Sequence, residues 1–446
     1  MRGNGDSWRK YRWHWKCAEK TVLTEKMIHY FRQIPDYRCG REKRHDLGEM
    51  LVCVTLGFLC GRTTIRRSLK WCKTHLEELR KHMNLKYGIA SPSTITRMLN
   101  GIDEELALYA FMEWIGEIVE SRNTHLAIDG KALCGATEKT KGETTPMLLN
   151  VVETVRGLIL AQLPVDSKTN EITAIPELLK LLDISGSIVT IDAVGTQTAI
   201  MEQIHEQGGH FVLTVKKNQP EAYEEIHTFM DKLGAEDLKR KKGEAMDPGM
   251  KEFLEKYEEI SQMEKNRDRN EYRTCQICKD ASNLTKSQKE WPHVQSIGRI
   301  KQVRIPKEKD SQGNDVTPSK EEFLEKGSRR IPAPSAGEGA GKDVQCTALI
   351  SDLILTAEEL GSIKRMHWSI ENRLHHVLDD TFREDRSPAK KSRNNLSLIR
   401  KYAYNILRLA MYETGLANIM TEMMDCFCDN AALRERYVFQ GIASLY

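Results

Sequence analysis

The feature that most constrains the fold of this chain is a pair of short apolar runs that each end in an aspartate. His125-Leu-Ala-Ile-Asp129 and Ser187-Ile-Val-Thr-Ile-Asp192 are both typical of buried strands. A carboxylate that ends such a run is costly to bury unless it is paired or bound to a metal ion. Because strand ends present groups to a ligand crevice, the two runs predict one shared site, although each aspartate could instead cap a helix or a turn.

The segments around these runs predict how strands and helices alternate. Three further apolar runs predict strands, at 147–155, 158–165 and 210–215, and two amphipathic runs predict helices, at 171–182 and 196–207. Three strands followed by helix, strand, helix and strand predict an α/β fold with a mixed sheet of the RNase H-like kind. The first part of this core is expected at residues 124–218.

The N-terminal part has helical periodicity instead. Residues 26–123 are expected to form a helical N-terminal domain, after a basic aromatic tail at 1–25 that is either frayed or an arm lying along DNA. Ser91 and Pro92 suit the N-cap and first position of a helix that also carries Arg97. This helix and the one before it predict either a DNA-contacting helix-turn-helix or a plain packed pair.

The chain of 446 residues predicts two or three domains, so the core is expected to resume after a break. Residues 219–350 are polar and irregular, which predicts an insertion with its own small sheet, from strands at 271–278 and 293–305, and flexible loops. Helices near 356–379 and 392–412 are expected to complete the core over 351–412. Residues 413–446 are expected to be a C-terminal tail.

Net charge is only +3, so any case for nucleic acid must rest on local charge. Residues 361–410 carry eleven Lys or Arg against five Asp or Glu. This surplus predicts either a solvated face or a surface that neutralises DNA phosphates.

The eleven cysteines are scattered, which suits a reducing cytosol. Cys275 and Cys278 have metal-ligand spacing but no second pair at a suitable distance. Neither a signal peptide nor a membrane span is visible, and a cytoplasmic protein is expected.

A third acid is expected from a helix further along the chain. In Met366-His-Trp-Ser-Ile-Glu371-Asn-Arg-Leu-His375, the residues Trp368, Glu371 and His375 fall on one partly apolar face. Glu371 could complete a carboxylate site for Mg²⁺ or form an ion pair, and His375 could be a core histidine or a phosphate contact. Two such ions activate the attacking oxygen and stabilise the leaving oxygen in phosphoryl transfer.

Several motifs in this order resemble the transposases of bacterial insertion sequences in the ISAs group, also called H-repeat-associated proteins. The resemblance covers roughly residues 34–409 with gaps in the insertion, and any one motif alone would be weak. The matching stretches are Ala127-Ile-Asp129-Gly-Lys131, Lys168-Thr-Asn-Glu-Ile-Thr-Ala, Thr190-Ile-Asp192-Ala-Val-Gly-Thr-Gln197, Val215-Lys-Lys-Asn-Gln219 and His367-Trp-Ser-Ile-Glu371-Asn.

The resemblance implies a DDE-type catalytic triad on an RNase H-like fold. Asp129, Asp192 and Glu371 match its three acids and would bind Mg²⁺, with Mn²⁺ as a possible substitute. The expected partner is double-stranded DNA, both transposon ends and target. The protein is expected to bind it as a homo-oligomer, a dimer on DNA, in the bacterial nucleoid. The expected DNA contacts are Lys131, Arg97, Asn218, Arg365, Arg373 and His375.

The chain also departs from the family pattern. Cys134 replaces a basic residue, His376 replaces a common tryptophan and Asp380 replaces an apolar residue. None of these changes removes a triad acid. Two alternatives therefore stay open, a decayed or domesticated DNA-binding protein and an RNase H-fold nuclease that cuts without joining.

Overall fold

The computed structural model describes residues 25–40, 43–133, 146–165, 168–265, 269–284, 291–306, 308–309, 315–316, 344–387, 389–442 and 445. Almost all of the expected N-terminal tail lies outside these residues, as does Cys134. Residues 317–343 of the expected insertion also lie outside the described residues.

Six helices occupy the described residues between 25 and 123. Asp46 accepts a hydrogen bond from the Glu49 backbone NH and starts the second helix, in which all thirteen residues are buried. Ser91 caps the fifth helix by accepting from the Thr94 NH, with Pro92 at its first position, as expected. The helices are α1 (Met27–Gln33), α2 (Leu47–Leu59), α3 (Ile65–Thr74), α4 (Leu76–Leu79), α5 (Pro92–Gly101) and α6 (Glu104–Gly116).

The next segment alternates strands and helices in the expected order. Its elements are β1 (His125–Ala132), β2 (Met147–Glu153), β3 (Leu158–Val165), α7 (Lys168–Lys180), β4 (Ile188–Ile191), α8 (Thr198–Glu206) and β5 (His210–Val215). Strand β1 pairs antiparallel with β2 and parallel with β4, and β5 pairs parallel with β4. This puts the ends of β1 and β4 side by side at one edge of the sheet.

The expectation that the insertion has its own small sheet is wrong in its main part. The later elements are α9 (Pro220–Lys242), α10 (Lys251–Glu255), β6 (Tyr257–Lys265), β7 (Arg269–Cys278), β8 (Ser296–Pro306), β9 (Glu308–Lys309), β10 (Asp315–Val316) and β11 (Val344–Ser351). Strands β6, β7 and β8 extend the central sheet, whose order is β3-β2-β1-β4-β5-β11-β8-β7-β6, and only β9 and β10 pair separately among the described strands. The physical reason is that β11 pairs antiparallel with both β5 and β8 and so closes the gap between them.

Four α-helices follow β11 in the described chain, α12 (Ala357–Ile370), α13 (Arg393–Thr414), α14 (Met420–Asp429) and α15 (Ala431–Arg434). Thr356 and Glu359 form a reciprocal capping box at the start of α12. Helix α13 packs against α2, α6 and β3, so the N-terminal helices and the sheet share one continuous apolar core. None of the helices that the structure describes has the length and apolar character needed to cross a membrane.

The described residues between 413 and 445 do not form the expected tail. Helix α14 packs against α2 and α13, and Phe427 and Tyr437 are buried. Arg434 forms an ion pair with Glu78 at 2.8 Å and donates a hydrogen bond to the Cys428 carbonyl at 2.8 Å. The segment folds back because it carries an amphipathic face that covers the buried helix α2.

Candidate metal centre at the ends of β1 and β4

Asp129 lies on β1, where the strand passes from the buried core to the edge of the sheet. Its Oδ1 accepts a hydrogen bond from the Gly130 backbone NH at 3.0 Å. Gly130 is required by a close approach, since a Cβ at this position would lie 2.6 Å from Oε1 of the buried Glu171. Burial raises the pKa of the Asp129 carboxyl above its usual value, and the negative charges of Asp192 and Glu371 add to this effect, while His375 opposes it.

Asp192 directly follows β4 and precedes a 3-10 turn at Ala193–Gly195. Its Oδ2 lies 2.8 Å from the Nζ of Lys216, which follows β5. Although burial works in the opposite direction, this ammonium keeps the pKa of Asp192 below its usual value. Asn218 donates from Nδ2 to the Ala193 carbonyl at 3.0 Å and so fixes the backbone beside Asp192.

Glu371 lies where α12 changes into a π-helical turn, Glu371–His375. Its side chain is 66% exposed, and its Oε2 lies 3.0 Å from Nδ1 of the buried His375. The same Nδ1 lies 3.8 Å from Asp129 Oδ2. The carbonyl of Arg373 accepts a hydrogen bond from the Tyr404 hydroxyl at 2.8 Å, which anchors the turn to α13. Turns of this kind are frequent at functional sites.

The structure brings two of the three expected acids together. One ligand atom each from Asp129, Glu371 and His375 lies within 4.8 Å of the others. Asp192 is not part of this cluster, and its carboxylate is paired with Lys216 instead. Asp192 is nevertheless near enough for its charge to raise the pKa of Asp129.

A buried polar chain under the cluster had no signal in the sequence. Lys364 on α12 donates to the Thr214 hydroxyl at 2.8 Å, and burial lowers the pKa of this lysine to about 8. Nδ1 of His367 lies 3.0 Å from the Thr190 hydroxyl, which also lies 3.0 Å from Nε2 of His125. These contacts fasten α12 to the central strands, and helical spacing alone does not reveal which polar residues face inward.

Lys131 is enclosed by carboxylates. Its side chain is 4% exposed, and its Nζ lies 2.6 Å from Asp379, 3.5 Å from Glu384 and 3.4 Å from Asp385. Burial works against the charge, but these acids raise the pKa of Lys131 above its usual value. In this arrangement Lys131 joins β1 to the segment after α12 and does not present its ammonium to a phosphate.

The other expected DNA contacts lie in different surroundings. Arg97 is exposed on α5, and Arg373 is exposed on the π-helical turn. Arg365 is bound to residues of β6, where it forms an ion pair with Glu264 at 2.9 Å and donates a hydrogen bond to the Gln262 side chain at 2.9 Å. His375 is inside the cluster. DNA contact by Arg97, Asn218 and Arg373 stays a prediction.

The basic surplus at 361–410 is not a single surface. Lys364, Arg400 and Lys401 are all buried, and Arg400 pairs with the buried Glu384 at 3.6 Å.

Cys275 and Cys278 are free thiols on β7, and burial raises the pKa of Cys278 to about 11. Among the residues that the structure describes, no further ligand joins these thiols in a metal-binding group.

The fold and the cluster define an α/β protein with a carboxylate-rich site suited to a divalent cation. A family model described as Transposase DDE domain matches residues 120–406, and a model described as DDE_Tnp_1-associated matches residues 28–115. The chain therefore belongs to the DDE transposase family. It is a transposase, an enzyme of DNA cleavage and strand transfer, and the family uses divalent metal ions.

Bacterial relatives agree with this family. The chain is 28% identical over 388 residues to the "H repeat-associated putative transposase YhhI" of Escherichia coli (strain K12), which covers 86% of this chain and 90% of that protein. A second H repeat-associated protein from the same strain, YbfD, is 32% identical over 196 residues, 44% of this chain and 78% of that protein. A solved piggyBac transposase synaptic complex with hairpin DNA aligns at a TM-score of 0.39 and 11% identity, over 91% of this chain and 77% of that chain, a level too low to show a shared fold.

Proposed function

We propose that this transposase cuts and joins the ends of a bacterial insertion sequence, with Asp129, Asp192 and Glu371 as its catalytic carboxylates. The observation that carries the proposal is the convergence of the Asp129, Glu371 and His375 ligand atoms within 4.8 Å. This convergence joins residues that are far apart in sequence, and it lies beside a third acid at the end of the neighbouring strand.

The chemistry of these side chains fits a divalent cation. Carboxylate oxygens are the ligands that Mg²⁺ prefers, and Mn²⁺ accepts the same set together with imidazole nitrogen. The raised pKa of Asp129 comes from burial and from two negative neighbours, which are conditions that a bound cation relieves. We therefore assign Mg²⁺ as the working ion and Mn²⁺ as a substitute, held by Asp129, Asp192 and Glu371.

Asp192 requires a change of partner to join the other two acids. It is bonded to the ammonium of Lys216, and both side chains are about half exposed, at 45% and 52%. An exposed ion pair of this kind contributes at most about 1 kcal/mol, so its exchange for a metal ion is easily reached. In this proposal Lys216 holds Asp192 ionised and ready near the cluster.

When bound, divalent ions would supply an activated attacking oxygen and charge stabilisation for the leaving oxygen of the phosphodiester. The side chains and backbone of the protein hold the three carboxylates in place. Gly130 fixes one oxygen of Asp129, His375 holds Glu371 toward the strand, and Asn218 fixes the turn that carries Asp192. A preorganised set of this kind reduces the reorganisation that the reaction would otherwise require.

The strand order supports an RNase H-like core as part of this proposal. An antiparallel β3-β2-β1 unit is followed by the parallel strands β4 and β5, and the acids lie on β1 and directly after β4. Strand ends at such a position form the ligand crevice of open α/β sheets. We further propose that a dimer of the chain acts on double-stranded DNA, both element ends and target, in the bacterial nucleoid.

A strand-transfer assay tests the proposal. Wild-type protein, duplexes that carry the DNA flanking the gene, and Mg²⁺ or Mn²⁺ are expected to give both cleaved ends and joined product. Asp129→Asn, Asp192→Asn and Glu371→Gln should each lower both products at least about a thousandfold, since each removes a charge that acts on the transition state. The matched control is Asp380→Asn, an acid in the same region whose side chain is 78% exposed.

The rival functions give different products in the same assay. Cleaved ends without joined product indicate a nuclease, and retention of full activity by Asp192→Asn overturns its place in the triad. Unchanged DNA binding with no product from the wild-type protein in either metal indicates a decayed, non-catalytic copy.

A further inference from the structure

The N-terminal helices carry a marked local surplus of positive charge. Residues 61–101 contain nine Lys or Arg and two acids, a surplus of seven, whereas the whole chain has a net charge of +3. Both acids are already neutralised, since Glu77 pairs with Arg80 at 2.8 Å and Glu78 pairs with Arg434 at 2.8 Å. The remaining cations are the electrostatic signature of a surface for a polyanion.

Helix α3 places part of this charge on one exposed stripe. Arg66, Lys70 and Lys73 are exposed at a spacing of four and three residues, and none of them forms an ion pair with a described residue. The opposite face carries the buried Ser68, Trp71 and Cys72. We call Arg66, Lys70 and Lys73 the α3 stripe.

The α3 stripe is presented by a rigid support. Helix α3 packs on α2 so closely that a Cβ on Gly57 would lie 2.1 Å from the Ser68 Cβ. A charge array on a firmly packed helix keeps its spacing, which favours a partner with regularly spaced negative charge.

Helix α5 packs against α3 and offers a different kind of surface. Its exposed polar side chains are Ser93, Thr96 and Arg97, and it contains no acid. The Tyr37 hydroxyl donates to the Arg97 carbonyl at 2.6 Å and fixes the backbone, while the guanidinium of Arg97 points to solvent with only a weak contact to Thr94 at 3.5 Å. Ser, Thr and Arg are side chains that contact base edges in the major groove, and arginine binds guanine in a bidentate manner.

We propose that α3 and α5 form the unit that recognises element-end DNA, in which the α3 stripe binds backbone phosphates and Arg97 on α5 reads bases in the major groove. This inference rests on the proposed function and assigns its DNA partner to a surface. A helix that crosses the backbone beside a helix that enters the groove is the arrangement of helix-turn-helix proteins.

Binding selection with full-length protein tests the two roles separately. The probe is a pool of duplexes with a random 20-bp core, in EDTA, so that no cleavage occurs. Wild type is expected to enrich one sequence. Arg66→Gln/Lys70→Gln should weaken binding to all duplexes roughly tenfold near 0.2 M salt and lower the slope of log affinity against log salt by about 1.8. Arg97→Ala should keep the slope within about one unit and reduce the preference for the enriched sequence roughly tenfold or more.

The matched control for lost charge is Lys242→Gln/Lys251→Gln, two exposed lysines outside these helices, which should leave affinity and slope unchanged. Equal losses in the control and the α3 variant overturn the phosphate role, and selection of the same sequence at the same strength by Arg97→Ala overturns the reading role. A wild type that binds no duplex but captures an acidic peptide would identify a protein-binding surface instead. These failures are distinguishable from failure of the proposed function, which appears as absent cleavage by protein that still binds DNA.

Discussion

Nδ1 of His375 lies 3.0 Å from Glu371 Oε2 and 3.8 Å from Asp129 Oδ2, so one buried imidazole connects the π-helical turn after α12 to strand β1. Without this contact, Glu371 would be an exposed side chain with several available rotamers. We expect His375 to act as a positioning residue for Glu371 in the transposase.

Substitutions at His375 are expected to separate the role of its Nδ1 atom in metal binding from the role of its side-chain volume. His375→Asn places an amide donor near the Nδ1 position and should retain Mn²⁺ affinity within about threefold. His375→Gln has an amide that reaches the Nε2 position instead. This variant and His375→Ala should each bind Mn²⁺ roughly tenfold or more weakly. Isothermal titration with Mn²⁺ measures this directly. If the Asn and Ala variants bind Mn²⁺ equally well, Nδ1 does not position the site.

Replacing Asp129 with asparagine is expected to stabilise the metal-free protein at neutral pH. Burial raises the pKa of Asp129 in the folded state, which means that the folded protein disfavours the ionised carboxylate. The contribution of this group to stability is therefore complete below the ordinary carboxyl pKa and is lost as the pH rises through the raised value. The Asp129→Asn variant lacks this loss. Its free energy of unfolding in EDTA should exceed that of wild type by about 1 kcal/mol at pH 8, with a smaller gap at pH 5.

Urea unfolding at the two pH values, with and without Mn²⁺, measures the Asp129 effect. Mn²⁺ should stabilise wild type more than the variant and so reverse their order. A variant that is less stable than wild type in EDTA at pH 8 contradicts the account of Asp129 as a carboxylate under strain from burial and like charge.

Removing the ammonium of Lys216 is expected to tighten metal binding. Lys216 competes with the metal for Asp192 and also repels it. Lys216→Ala should therefore lower the apparent Kd for Mn²⁺ roughly two- to fivefold, the range of an exposed ion pair. The control is Lys217→Ala, an exposed neighbour, which should change the Kd less. Weaker metal binding by Lys216→Ala would show that Lys216 supports the ion-binding conformation instead.

The contact between Arg434 and Glu78 predicts that the C-terminal segment is essential for stability. Arg434→Met leaves the partly buried Glu78 without its partner and should lower the free energy of unfolding by about 3 kcal/mol. Arg436→Met removes an arginine that is 55% exposed from its pair with Glu413. Glu413 keeps the hydrogen bond from the Tyr437 hydroxyl at 2.7 Å, so this change should cost less than about 1 kcal/mol. Urea titrations of the two variants compare them. Similar losses at both positions would mean that burial of Arg434 adds nothing.

The sequence predicted best those elements that have both an apolar pattern and a turn signal. Strands β3 and β5 begin and end as expected, and glycines with positive φ at 157 and 208 stand before them. Strand β6 was missed because it lies at the edge of the sheet and carries charged residues instead of an alternating apolar face. Its structure comes from pairing with β7, a long-range interaction that local composition does not encode.

In the candidate site too, local patterns were predictable and long-range contacts were not. Strand-end logic predicted Asp129 and Asp192, and helix-face spacing placed Glu371 and His375 on one face. Sequence could not show that Lys131 is enclosed by three acids or that Lys216 holds Asp192, because both contacts depend on how distant segments meet. It also could not show which basic residues after 361 are buried.

The position of β11 has a consequence for the synthesis of this enzyme. It is the last strand of the sheet in sequence, yet it lies in the interior, between β5 and β8. A nascent chain that ends before Val344 has two unpaired strand edges and lacks the helix that carries Glu371. If Glu371 is catalytic as proposed, DNA-cutting activity arises only after translation of this strand and helix, and prematurely terminated copies of the protein lack it.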